Sequence, residues 1–234
     1  MSILFVIPAR EGSKGLPGKN IKRINGKSLI QYSIDFAKSF TTESNICVST
    51  DSDEIIEVVE ENGLSVPFKR PDHLAQDNST TSDVLVHAVE YYKNIGVEYD
   101  FVVLLQPTSP FRKKEYLIEA IDLLTSEDEM VASVHLTESN PYYVLFEEND
   151  DGYLSSCKKL GNITRRQDAP KVFELNGNIY VVNPKKLLEK RDLSKFTKIK
   201  KIVMDKKYAV DIDDYHDWEY CEFLIDKYPD LLKI

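Results

Sequence analysis

From Ile7 to Asn20 the chain reads Ile-Pro-Ala-Arg-Glu-Gly-Ser-Lys-Gly-Leu-Pro-Gly-Lys-Asn, interleaving Gly12, Gly15 and Gly18 with Arg10, Lys14 and Lys19. Glycines let a backbone approach a ligand closely and turn its amides inward, and cations beside them suit a polyphosphate. Two general phosphate motifs do not fit. Walker A needs four residues before its Gly-Lys and then Ser or Thr, whereas five residues separate Gly12 from Gly18 and Asn20 follows Lys19. The G-x-G-x-x-G dinucleotide fingerprint is also absent. By composition the stretch reads equally as an ordinary loop with solvated basic residues. Its place after an apolar first segment favours function.

Other residues could take part in the same chemistry. Asp211 and Asp213 stand two apart in an extended stretch, so both carboxylates can project to one side. Such a pair either faces a hard cation beside phosphates or belongs to a solvated acid cluster with Asp214 and Asp217. Gln106 is polar at the end of the apolar run Phe101–Leu105, where a strand of an open α/β sheet meets its ligand. Ser79 to Ser82 read as a capped helix start, and the same helix end would favour an anion.

These residues need a frame. Ile3–Pro8, Asn45–Ser49, Phe101–Gln106, Val131–Val134, Asn178–Asn183 and Ile199–Met204 are strand-like. Amphipathic stretches lie between them: Ser28–Ser39, Asp53–Asn62 closed by Gly63, a stripe from Val84 to Tyr92, and another from Leu117 to Leu124. A short helix from Pro184 and a closing helix Tyr215–Lys227 complete the set. The alternation predicts an α/β fold, a mainly parallel twisted sheet flanked by helices on both sides. It breaks over residues 136–175, which read as an arm inserted into one domain spanning 1–234.

Composition narrows the classes. The 234 residues carry a net charge of −9, which argues against broad nucleic-acid binding but leaves room for a small anion held by local cations. No apolar run nears the roughly 20 residues of a membrane span. The first segment lacks the basic flank and longer apolar core of a leader and reads as a buried strand. Cys47, Cys157 and Cys221 are scattered, as in a reducing compartment, so a cytoplasmic protein without a zinc site is expected.

The first-loop stretch resembles the N-terminal signature of the acylneuraminate cytidylyltransferases, the CMP-sialic acid synthetases. The resemblance continues in family order through Ser49-Thr50-Asp51, Arg70-Pro71 with Leu74 and Asp77, and Leu104 to Arg112. It goes on through Arg165-Arg166-Gln167-Asp168, Asn176-Gly177 before Ile179-Tyr180, and Asp211-Ile212-Asp213. Related enzymes for 3-deoxy-octulosonate usually carry a different stretch in place of Lys14-Gly15.

The resemblance implies a nucleotide-diphospho-sugar transferase-like, Rossmann-like fold. It implies attack by the anomeric hydroxyl of a nine-carbon acidic sugar on the α-phosphorus of CTP, with loss of pyrophosphate. Arg10 and Lys19 match triphosphate positions, and Ser13, Lys14, Asn20, Arg70, Ser79 and Thr81 match positions around the nucleotide. Gln106, Arg165, Arg166 and Tyr180 match sugar positions, with Arg166 also counted in the catalytic set. Asp211 and Asp213 match a Mg²⁺ site, and either Asp211 or a metal-held hydroxide would take the sugar's proton. Arg112 is open to a structural role instead.

One departure bears on the sugar. Some members carry a lysine after the proline at Asn140-Pro141, and this chain has Tyr142-Tyr143. A differently substituted nonulosonate such as legionaminate is then an alternative to sialic acid, as are pseudaminate, 3-deoxy-octulosonate and a catalytically silent nucleotide sensor. The resemblance further implies a homodimer in which the arm, with Tyr142 to Phe146 to bury, crosses to the partner and brings Arg166 or Arg165 to its sugar. A monomer with a basic surface pair is the plainer alternative.

Overall fold

The computed structural model describes residues 1–12, 15–159, 161 and 165–233. In chain order its strands are β1 (Ile3–Pro8), β2 (Arg23–Ile24), β3 (Lys27–Ser28), β4 (Ile46–Ser49), β5 (Phe101–Leu104), β6 (Met130–Leu136), β7 (Phe146–Glu148), β8 (Leu154–Ser156), β9 (Phe173–Val182) and β10 (Ile199–Val203). Its α-helices are α1 (Leu29–Lys38), α2 (Asp53–Glu61), α3 (Thr81–Asn94), α4 (Lys114–Leu123), α5 (Pro184–Lys190) and α6 (Tyr215–Lys227).

The central sheet has the order β10-β6-β9-β5-β1-β4. Strand β1 pairs in parallel with β4 and β5, and β10 with β6. Only β9 opposes its neighbours, β5 and β6. The chain leaves β1 for β4 on one side and returns to β5 on the other, so a crevice opens beyond the C-terminal end of β1, where open α/β sheets hold ligands.

Both faces are covered, as the continuous apolar runs require. Phe5, Ile7 and Val103 pack under α1, α2 and α4 through Ile30, Ile34, Val59 and Leu117. Their alternates Leu4, Val6 and Val102 pack under α3 and α5 through Leu85, Ala88 and Leu187. A third cluster joins the first loop to the end of the chain: Leu16, Leu29, Phe111, Ile212, Trp218 and Cys221.

Strand β9 differs from expectation at its start. It begins at Phe173, inside the stretch read as an arm, because its first residues pair with the end of β6. Ala132 faces Tyr180 while Val134 faces Leu175, so β9 takes five steps where β6 takes two. This wide bulge is accommodated around Asn176-Gly177-Asn178, with Gly177 at φ +65°. Between β6 and β9 lies the antiparallel hairpin β7–β8. It leaves Val144, Leu145, Phe146, Tyr153 and Leu154 exposed.

Candidate active site

A cleft of about 590 Å³ lies at the crevice beyond β1. One wall is cationic, made by Arg10 and Lys19 after β1 and by Arg70. Ser79, Thr80 and Thr81 at the start of α3 continue it. Asp211, Asp213 and Asp214 form the opposing wall, and Gln106, Pro107 and Thr108 close the end beyond β5. A chain that is acidic overall thus concentrates positive charge where it leaves its central strand.

The first loop is braced from several sides. Asn20 Nδ2 donates to the Arg10 carbonyl at 3.0 Å, drawing the two ends of the loop together. Arg10 Nη1 donates to the Gln76 carbonyl at 3.2 Å and to Asp77 Oδ1 at 3.1 Å. Lys19 Nζ donates to the Ile212 carbonyl and to Asp213 Oδ1, both at 2.8 Å. At Gly15 a Cβ would overlap the Asp213 carbonyl oxygen and sit 3.3 Å from its carbonyl carbon, so a glycine is needed for loop and acidic segment to touch. Ser13 and Lys14, expected in the nucleotide set, lie outside the described residues.

Arg70 is 4% exposed, its Nε donating to Ser49 Oγ at 3.0 Å and its Nη2 to the Ser49 carbonyl. Burial pushes its pKa down and Asp51 acts against that. At the start of α3 both sequence readings meet in one place. Thr80 Oγ1 accepts from the Asp83 amide at 3.2 Å and Asp83 Oδ2 accepts from the Thr80 amide at 2.9 Å, a capping box. Ser79 Oγ donates to the His73 carbonyl at 3.1 Å. The capped terminus, with Thr81 as its first helical residue, turns the positive end of α3 toward the cleft.

The acidic segment resolves into two roles. Asp214 Oδ1 accepts from the His216 and Asp217 amides at 2.8 and 3.0 Å, and Asp217 Oδ2 accepts from the Asp213 and Asp214 amides at 2.9 and 3.1 Å. These two acids cap α6. Asp211 and Asp213 are left to the cleft, on either side of fully buried Ile212, whose amide donates to the Thr108 carbonyl at 2.9 Å. Asp213 is exposed. Asp211 has a buried Oδ1 without a hydrogen-bond partner. Burial raises its pKa, a hydrogen bond from the Thr108 side chain opposes the rise, and Asp213 adds to it. Among the described residues no group of three or more His, Cys, Asp or Glu could hold a metal. Two carboxylates, one with an orphaned oxygen, instead fit a cation that completes its ligands from phosphate and water.

Of the residues matched to the sugar, Gln106 alone lines this cleft. Tyr180 is buried behind it, and its hydroxyl accepts from the Gly177 amide at 3.3 Å. Arg165 pairs with Asp168 at 2.8 Å and Arg166 with Glu138 at 3.3 Å, both on the arm. Neither arginine reaches the cleft of its own chain. Arg112 takes the structural alternative: 2% exposed, it donates to the carbonyls of Gln106 at 2.6 Å and Asn178 at 3.1 Å and to Ser33 Oγ at 3.0 Å. Thr108 carries no signal in the sequence, because a loop threonine acquires its role only by meeting Asp211 across the fold.

Residues 4–218 match the family model described as cytidylyltransferase. The chain belongs to the cytidylyltransferase family. It is 33% identical over 226 residues to the CMP-N,N'-diacetyllegionaminic acid synthase of Legionella pneumophila, covering 97% of both chains. It is 31% identical over 218 residues to the N-acylneuraminate cytidylyltransferase of Escherichia coli, covering 93% of this chain and 50% of that one. Its fold matches CMP:2-keto-3-deoxy-manno-octonic acid synthetase complexed with CTP, with a TM-score of 0.67, 20% identity, and 97% and 99% of the two chains covered. The protein is therefore a CTP-dependent nucleotidyltransferase.

Proposed function

We propose that this cytidylyltransferase joins CMP to a nonulosonate, with a legionaminate-type sugar ahead of sialic acid. The observation that carries the reading is the cleft itself, a single cavity lined by Arg10, Lys19 and Arg70 together with Asp211, Asp213 and Gln106. In the proposed reaction the sugar's anomeric oxygen bonds to the α-phosphorus of CTP, the bond to the β-phosphate oxygen breaks, and pyrophosphate leaves. Arg10 and Lys19 hold the departing phosphates, and Arg70, Asn20, Ser79 and Thr81 hold the nucleotide. Half-buried Asp211, its pKa raised by burial, is suited to accept the hydroxyl's proton. Asp211 and Asp213 would hold Mg²⁺ together with phosphate oxygens, and the ion would offset the charge of the triphosphate.

Preference for a legionaminate-type acceptor is supported by the full-length match to the Legionella enzyme and by Tyr142 after Pro141, where some members carry lysine. The proposal includes a homodimer in the cytoplasm, the apolar hairpin β7–β8 lying against a second copy and Arg166 or Arg165 serving the partner's cleft. Exposed Val144, Leu145, Phe146 and Leu154 support it, since a patch of this kind normally meets a partner. The test is pyrophosphate release with CTP and, in turn, legionaminate, N-acetylneuraminate, pseudaminate and 3-deoxy-octulosonate, with ATP and GTP as nucleotide controls. Turnover highest with CTP and legionaminate is expected. Release with none of the four sugars, or equal rates with ATP, would overturn the reading.

A further inference from the structure

Gln106 is held in an unusual way for a residue at the end of a cleft. Its backbone is fixed: the carbonyl accepts from Arg112 Nη2 at 2.6 Å, and the same guanidinium grips the Asn178 carbonyl in the bulge of β9. Its carboxamide, in contrast, has no hydrogen bond to any described residue. What bounds it is shape. A Cβ added at Gly177 would run into Gln106 Oε1 and stand 2.9 Å from Cδ, so the amide plane lies in the space a side chain at 177 would fill.

The bulge that places Gly177 there is heavily built. Asn176 Oδ1 accepts from Ser133 Oγ at 2.5 Å and from the Asn178 amide at 3.2 Å. Asn178 Nδ2 donates to the carbonyls of Phe111 at 2.7 Å and Tyr208 at 3.0 Å. Ser133 Oγ also accepts from the Ile179 amide at 2.9 Å, and Tyr180 Oη receives the Gly177 amide. Two asparagines, a serine and an arginine are thus buried to fix three residues of backbone, a heavy investment of polar groups for a surplus in one strand.

We propose that Gly177 is a positioning residue for acceptor recognition. By lacking a side chain it seats the Gln106 carboxamide, and the buried bulge together with Arg112 fixes that seat, so that both hydrogen-bonding ends of the amide stay free for the sugar. A carboxamide offers one acceptor and two donors, which suits vicinal hydroxyls or an N-acyl group. This rests on the function proposed above for the cleft. It adds that acceptor selectivity is set by a residue on β9 that does not line the cleft.

The clash at Gly177 falls on the far end of a flexible side chain, so Gly177→Ala should fold with the carboxamide displaced. Expected is a fall in kcat/KM for the sugar of about tenfold or more, with KM for CTP within about twofold, since a shift near 1 Å in a positioning group is enough for such a loss. Gly177→Ala is then placed in a Gln106→Ala background. If Gly177 acts through Gln106, the double variant is no slower than Gln106→Ala alone. An equal further loss in that background, or sugar kinetics unchanged by Gly177→Ala, would overturn the proposal. A readout without any sugar separates this outcome from failure of the function itself. The side-chain amide resonances of Gln106, identified by their absence in Gln106→Ala, should shift in Gly177→Ala protein with an unchanged circular dichroism spectrum. If they stay in place, Gly177 does not seat the amide, whatever the acceptor proves to be. Gly177→Asn, which tolerates a positive φ, serves as a second variant and should give the same shift.

Discussion

Lys19 and Asp213 form an ion pair at 2.8 Å across the cleft, binding the loop after β1 to the segment before α6. The pair joins the cation proposed for phosphate to a carboxylate proposed for metal, so each neutralises the other in the free protein. Under the proposed reaction, nucleotide and cation would together replace that contact. We therefore expect Asp213→Asn to lower turnover sharply in Mg²⁺ yet to strengthen CTP binding in EDTA, because the triphosphate no longer meets an opposing carboxylate. Calorimetric titration of CTP with and without metal reads both arms. Weaker metal-free binding in the variant would refute this account of the pair.

Asp211 should show a conflict between stability and activity. Its folded pKa is raised by burial, so the carboxyl favours folding while protonated, and that contribution is lost as pH rises through the folded pKa. Once ionised, the group is a cost to the free protein. Asp211→Asn removes it, and a rise in melting temperature of a few degrees, about 1 kcal/mol, is expected from scanning calorimetry. The same variant should lose about 10²-fold or more in kcat. A less stable and fully active variant would contradict both assignments.

Acid stability should depend on two carboxylates far from the cleft. Asp128 is held at a pKa of about 2 by Lys200 and by the Thr125 hydroxyl and amide. Glu129 is likewise held at about 2 by Lys190 and the Lys198 and Thr197 amides. Depressed pKa values stabilise the fold above the ordinary carboxylate range near 4, and that contribution is lost as pH falls from about 4 toward 2. Glu129→Gln should therefore be less stable at pH 6 and show a shallower loss over that window. Denaturant midpoints at stepped pH values measure the slope, and parallel curves for variant and parent would exclude the mechanism.

Complementation tests the shared site. Arg166→Ala and Asp211→Ala chains are each expected to be nearly inactive. Once mixed and exchanged, heterodimers would hold one cleft with both residues intact and recover part of the activity. No recovery, with exchange confirmed by native mass spectrometry, would mean that each cleft is built from one chain.

Much of this was legible in the residues, where local chemistry decides the structure. The closing helix runs from Tyr215 to Lys227 as read, because Asp214 and Asp217 form a capping box at its start. Helix α2 stops before Gly63, which adopts φ +72°. The start of β9 is hidden in the sequence because Asn176-Gly177-Asn178 interrupts an apolar pattern with polar groups whose partners lie on β6 and in the loop after β5. Its direction depends on which strands it joins, and no period within the strand encodes that. The four acids from Asp211 to Asp217 look alike in sequence. Only packing of Ile212 into the third core cluster separates the pair facing the cleft from the pair capping a helix.

The sequence separation across the cleft bears on how the protein is made. Lys19 meets its carboxylate 194 positions further along the chain, and Leu16 shares a core cluster with Ile212 and Trp218. During synthesis the cationic wall is complete long before its counterpart leaves the ribosome. A nascent chain that has not yet reached Ile212 and Asp213 leaves Lys19 without both of its partners and Leu16 with only part of its core cluster. Closure of the cleft should therefore be a late step with the slowness of long-range contacts, and the loop after β1 is where a chain stalled before Asp213 would be vulnerable to proteases.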